Sequence, residues 1–178
     1  MVVNKVSSIF IVLFSLTCIL NAEILIKDKI INEYVEKKLK LSLIEWGDAV
    51  KMCRKKEEQS IVSFDPESLK KLNVAVDEFR TATMALNYRN YAKCVKSKKD
   101  EYMYMALLVY KIKQECGEES KDTLNLVLAS MPSGEVLEAL INYEKLLPRV
   151  KTYFEQHIGK EPFDIVKVSL PILEYFRK

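Results

Sequence analysis

Residues 24–58, ILIKDKIINEYVEKKLKLSLIEWGDAVKMCRKKEE, decide the fold class. Ile31, Val35, Leu39, Leu43, Trp46, Val50 and Cys53 recur at spacings of three and four, which makes one apolar stripe on a helix. Gly47 falls inside it and marks a weak point or a bend. Downstream, a second helix has a clear start. Asp65 is placed to accept free backbone N–H groups, Pro66 suits the first helical position, and Glu67 complements the dipole. Phe64 just before the cap is positioned to staple the entry. Its stripe is Leu69, Leu72, Val76, Phe79, Thr83 and Leu86.

The polar stretch Lys96–Asp100 separates this from an apolar run, Tyr102–Tyr110, whose main stripe is Tyr102, Met105, Val109, Ile112 and Cys116. A helix apolar on every side is normally a central one, and Gly117 is a natural C-cap. A brief helix over Leu124–Met131 is stopped by Pro132-Ser133-Gly134. Another carries Leu140, Tyr143, Leu147, Val150, Phe154 and His157, is expected to kink at Pro148, and ends at Gly159. Phe163–Phe176 forms the last. No strand-like alternation of useful length appears, and four glycines in 178 residues disfavour a turn-rich β fold. The expectation is an all-α, single-domain bundle of five to six helices stapled by one disulfide.

The N-terminus predicts export. Lys5 is followed by an almost unbroken apolar run from Ile9 to Leu20, and Asn21-Ala22 precedes the first acid, Glu23. A short positive region, about a dozen apolar residues and a small residue at the boundary compose a secretory signal peptide. Residues 1–22 are therefore read as a cleaved signal peptide and 23–178 as a secreted, extracellular helical domain. Removing Lys5 leaves 27 basic against 25 acidic residues. That balance offers no general field for nucleic acid, and no stable membrane insertion is expected.

Cleavage also removes Cys18 and leaves Cys53, Cys94 and Cys116, for which an oxidising setting predicts at least one disulfide. Twenty-two residues of helical rise would put Cys94 about 33 Å from Cys116, far beyond the Cα separation a disulfide spans. Cys53 and Cys116 both end core stripes and would meet in an up-down-up arrangement. The expected pair is Cys53–Cys116, with Cys94 a free buried thiol or a link between two chains.

Candidate chemistry is sparse. His157 is the only histidine and lies on an apolar stripe, so no Ser/His/acid set builds around it. The cysteines lack metal spacing, and no phosphate loop, dinucleotide fingerprint or calcium loop occurs. No catalysis, cofactor or metal is expected. Glu57-Glu58 and Glu118-Glu119 read as solvated charge at helix ends.

The departure from an ordinary surface is Met84, Tyr88, Tyr91, Tyr102, Tyr104, Met105 and Tyr110. Tyrosine couples an apolar body to a hydroxyl that needs a partner, and methionine fills irregular gaps. Three readings fit this region: a core whose tyrosine tips reach solvent, the lining of a ligand cavity between helices, or a protein-binding face anchored by Tyr88, Tyr91 and Tyr104. The spacing of Cys94, Tyr102 and Cys116 resembles the cysteine–tyrosine–cysteine motif of aphid secreted effectors called bicycle proteins. Those proteins carry paired motifs, whereas this chain has one, and the helical rise argues against the cysteine pair. The expected function is a secreted, non-enzymatic effector or extracellular interaction protein acting on an extracellular or host protein. The alternative is a carrier of a small apolar ligand.

Overall fold

The computed structural model describes the backbone of residues 3–115 and 121–177, and the side chains of residues 30–114 and 124–177. The chain is all-α. Seven helices are formed among the described residues: α1 (Val3–Gln59), α2 (Pro66–Lys71), α3 (Val76–Glu115), α4 (Lys121–Ala129), α5 (Gly134–Lys145), α6 (Pro148–Ile158) and α7 (Ile165–Arg177). No side chain of the expected signal peptide, residues 1–22, falls within the described residues; Cys116 and Gly117 lie outside them as well.

Helix α3 organises the rest. It runs unbroken for 40 residues, about 60 Å, and the substantial helix–helix contacts of α1, α4, α5, α6 and α7 are all made to it. The expected break at Lys96–Asp100 does not occur. No glycine or proline interrupts Val76–Glu115, and the polar residues there find ionic partners instead. Lys96 pairs with Asp100 one turn on, while Lys98 reaches both Glu101 and, across the helix interface, Glu45 of α1. From Val76 on, the second helix expected from sequence and the third are therefore one.

Continuity in α3 changes the disulfide. Helix α1 lies antiparallel to it, so that as the α1 number falls through 53, 46 and 36 the α3 partner rises through 94, 102 and 113. These contacts are the disulfide Cys53–Cys94 (Cα–Cα 6.0 Å), the stacked rings of Trp46 and Tyr102 (5.0 Å) and the ion pair Glu36–Lys113 (3.7 Å). The expected Cys53–Cys116 bridge and the free or intermolecular thiol at Cys94 are thus both corrected. With no turn near Lys98, the end of α3 travels away from Cys53 rather than back to it.

Two other expectations shift for local reasons. The helix starting at Asp65 ends after six residues. Asn73 takes φ 56°, a left-handed conformation asparagine tolerates, and the Val74 N–H donates back to the Leu69 carbonyl (3.0 Å). Glu78 then accepts the Ala75 N–H (2.9 Å), the reach-back of a capping box that restarts the chain as α3. At Pro148 the chain breaks rather than kinks. Leu146 and Leu147 are extended (ψ 149° and 140°), as a following proline demands, and Pro148 opens α6. Gly159 ends that helix at φ 71°, as expected.

Two hydrophobic clusters result. The larger joins α2, the first half of α3, α5, α6 and α7 around Phe64, Leu69, Phe79, Tyr143, Phe154, Phe163 and Ile172. Phe64 packs edge-on to Phe79 and tilted against Phe154. Buried Asn90 ties the α6–α7 loop to α3 by donating to the carbonyls of Gly159 (3.2 Å) and Glu161 (3.0 Å). The smaller cluster gathers Tyr102 and Ala106 of α3, Val127 of α4, and Leu39 and Trp46 of α1. A helical head thus continues into a stalk of α1 and α3 with α4 packed against it, and Cys53–Cys94 lies between the two clusters along α3.

Two carboxylates cap helix starts. Asp65 accepts from Ser68 Oγ and from the N–H groups of Ser68 and Glu67, and Asp164 accepts from those of Lys167 and Val166. These donors hold both carboxyls below their ordinary range, so the stability they lend is present at neutral pH and is lost as pH falls through the lowered values.

Peptide mapping without reductant is expected to recover Cys53 joined to Cys94, and a Cys53→Ala/Cys94→Ala variant to lose about 4 kcal/mol of unfolding free energy for this 41-residue separation. A Cys53–Cys116 peptide would contradict the register.

Candidate functional site

The tyrosine and methionine residues singled out from sequence do not form one patch. They are spread along α3 over about 39 Å and around its circumference. Met84 is half-buried against the larger core. Tyr88, Tyr91, Met105 and Tyr110 are half-buried as well. Tyr102 is 1% exposed, stacked on Trp46, whereas Tyr104, two residues on, is 66% exposed on the opposite side of the helix. Burial pushes the Tyr102 hydroxyl above its ordinary range. Tyr102 is therefore a core residue, and of the proposed anchors Tyr104 alone is fully presented to solvent.

A different surface is built by α1. Its side facing α3 carries buried Val35, Ser42 and Cys53 with half-buried Leu39 and Trp46. Ile31 and Leu43, expected in that stripe, are largely exposed, because Ser42 rather than Leu43 meets α3. The opposite side presents a second apolar row: Ile30, Tyr34, Leu41 and Ile44 are 61, 60, 46 and 61% exposed. Since the substantial contacts of α1 run to α3 alone, no helix covers this side among the described residues.

Tyr34, Leu41 and Ile44, with Lys37, Lys38 and Lys40, line an open groove of about 470 Å³. That volume lies in the range of small-ligand sites, yet every described lining residue belongs to one helix, so a ligand would lie on the surface rather than inside it. The Lys38 ammonium stands 5.8 Å from the Tyr34 ring centre, a cation–π distance. Among the described residues, Lys37, Lys38 and Lys40 have no carboxylate within ion-pair distance, in contrast to Lys51, Lys56 and Lys98. A second groove, about 220 Å³ between α3 and α5, takes in Met84 beside Arg80, Glu135 and Glu138.

The remaining titratable groups are structural in their surroundings. His157 is exposed, its ring 4.1 Å from that of Tyr153, with an Nδ1–H donating to the Tyr153 carbonyl (2.8 Å). Tyr143 is buried, its hydroxyl donates to Glu155 (3.0 Å), and burial first and Glu155 second raise it far above the ordinary tyrosine range. Glu57, expected to be a solvated helix-end charge, is half-buried; burial and the nearby Asp164 carboxylate raise it. Among the described residues no cluster of three or more His, Cys, Asp or Glu is arranged to hold a metal ion, nor is any helix long and apolar enough to cross a membrane.

Sequence reading overlooked the outward row on α1 because a single stripe accounted for that helix. The signal was present: Ile30, Tyr34, Leu41 and Ile44 have helical spacing of their own, offset from the inward stripe.

Adjacent tyrosines test the assignment of core and surface. Tyr102→Ala is expected to cost about 3–5 kcal/mol in denaturant unfolding, the range for deleting a buried aromatic, and Tyr104→Ala less than about 0.5 kcal/mol. Equal losses would mean that α3 is rotated from the orientation described.

The chain matches no family model, no curated protein and no solved structure.

Proposed function

We propose that this chain is an exported helical protein that acts without catalysis, by offering the outward side of its stalk to another molecule. The observation that carries this reading is the row Ile30, Tyr34, Leu41 and Ile44, exposed together on the side of α1 that no helix covers among the described residues. Isolated apolar residues on a surface are ordinary, but an aligned row with a polar border marks a contact surface. Export rests on the apolar leader of residues 9–20 and the small residue at Ala22. A disulfide between Cys53 and Cys94 is compatible with that setting.

The surface lies within the stalk and away from the larger core, so it can be altered without disturbing the packing around Phe79 and Phe154. The partner is expected to be an extracellular or host protein, bound by the whole mature chain.

A Leu41→Asp/Ile44→Asp variant is expected to keep its helical circular dichroism and its melting temperature, because both residues are exposed. It is expected to lose whatever the unmodified mature protein retains from the fluid or tissue it enters. Retention of the same partners by both forms would rule this surface out.

A further inference from the structure

The outward row has a pattern finer than exposure. Ile30, Tyr34, Lys37, Leu41, Ile44 and Asp48 follow one another at spacings of four, three, four, three and four. On a helix these positions share an arc of about 80° over about 27 Å, the geometry of a seam that packs against a second helix. Lys37 stands in the middle of the seam, and Lys38 and Lys40 flank it on opposite sides. All three line the groove with Tyr34, Leu41 and Ile44, and among the described residues no acidic side chain lines it and none of the three has an ion-pair partner.

We infer that this seam receives an amphipathic helix of a partner protein, whose apolar residues repeat at the same spacing and whose carboxylates face Lys37, Lys38 and Lys40. The three lysines favour this occupant. In a parallel pair with a second copy of the chain, Lys37 would meet Lys37. An anionic membrane favours lysines at the border of a broad apolar face, whereas Lys37 interrupts the centre of a narrow one. In a helix pair the same residue has a use, since one polar group at a seam position sets register when it meets a complementary partner. The inference rests on the binding role proposed above and specifies what is bound.

The test uses the full mature chain and two synthetic peptides of about 20 residues, long enough to span the seam. Both carry leucine at seam positions; one has glutamate at the position facing Lys37 and along both flanks, the other lysine. Fluorescence anisotropy is expected to show the acidic peptide bound about tenfold more tightly, the combined effect of three exposed ion pairs, with the preference shrinking at high salt. Lys37→Glu/Lys38→Glu/Lys40→Glu is expected to invert the preference, and Leu41→Asp to abolish binding of both peptides. Equal affinity for the two peptides, or no effect of the triple charge reversal, would overturn the inference. So would Leu41-dependent binding to phosphatidylserine-containing vesicles in the absence of peptide binding, or a dimer in sedimentation that Leu41→Asp dissolves. If the Leu41→Asp/Ile44→Asp protein loses a native partner while the peptides show no charge preference, the contact surface stands and the acidic helix does not. If neither effect is seen, both fail.

Discussion

The antiparallel register of α1 against α3 is the constraint on which the remaining structure depends. Cys53–Cys94, Trp46 on Tyr102 and Glu36–Lys113 mark it at three levels, one covalent, one aromatic and one ionic. A helix pair held in one register has one inner face and one outer face. Val35, Leu39, Ser42 and Trp46 are committed to α3, which leaves Ile30, Tyr34, Leu41 and Ile44 outward as a consequence rather than as an independent feature. Sliding or rotating α1 would exchange these sets.

The helical class and several helix boundaries were legible in the sequence because they depend on neighbouring residues. The Asp65-Pro66 start, the stop at Pro132-Ser133-Gly134 and the Gly159 stop are local in this sense. What the sequence did not disclose was decided by partners distant along the chain. Lys96–Asp100 resembles a loop in isolation, yet Glu45 of α1 supplies a counter-charge for Lys98 and the helix continues. The disulfide followed from that misjudged break. What failed was the supposition that the chain doubles back near Lys98; it does not, and Cys53 meets Cys94 in the middle of α3. Pro148 was recognised as disruptive, but whether a proline kinks a helix or begins a new one depends on whether the residues before it become extended, as Leu146 and Leu147 do.

The candidate surface was legible only in part, and for a related reason. Aromatic density drew attention to α3, where Tyr102 turns out to belong to the core and Tyr104 to the surface. Two residues of helix separate burial from exposure, and composition cannot distinguish them. Helix α1 carries two apolar rows, and which one faces the core is fixed by α3 and not by α1 itself. The physical content of the surface is the combination of an apolar seam with lysines that, among the described residues, have neither a covering helix nor a carboxylate partner. Each element alone is common on protein surfaces; their coincidence on one helix side distinguishes this one.

Continuity of α3 through Lys96–Asp100 underlies the register, the disulfide and the outward seam together, and native-state amide hydrogen exchange reads it most directly. The amides of residues 96–100 are expected to exchange as slowly as those of the flanking turns, opening only with the helix as a whole. Near-unprotected exchange across these five residues would instead reveal a turn, and with it a different pairing of the cysteines and a different outer face for α1.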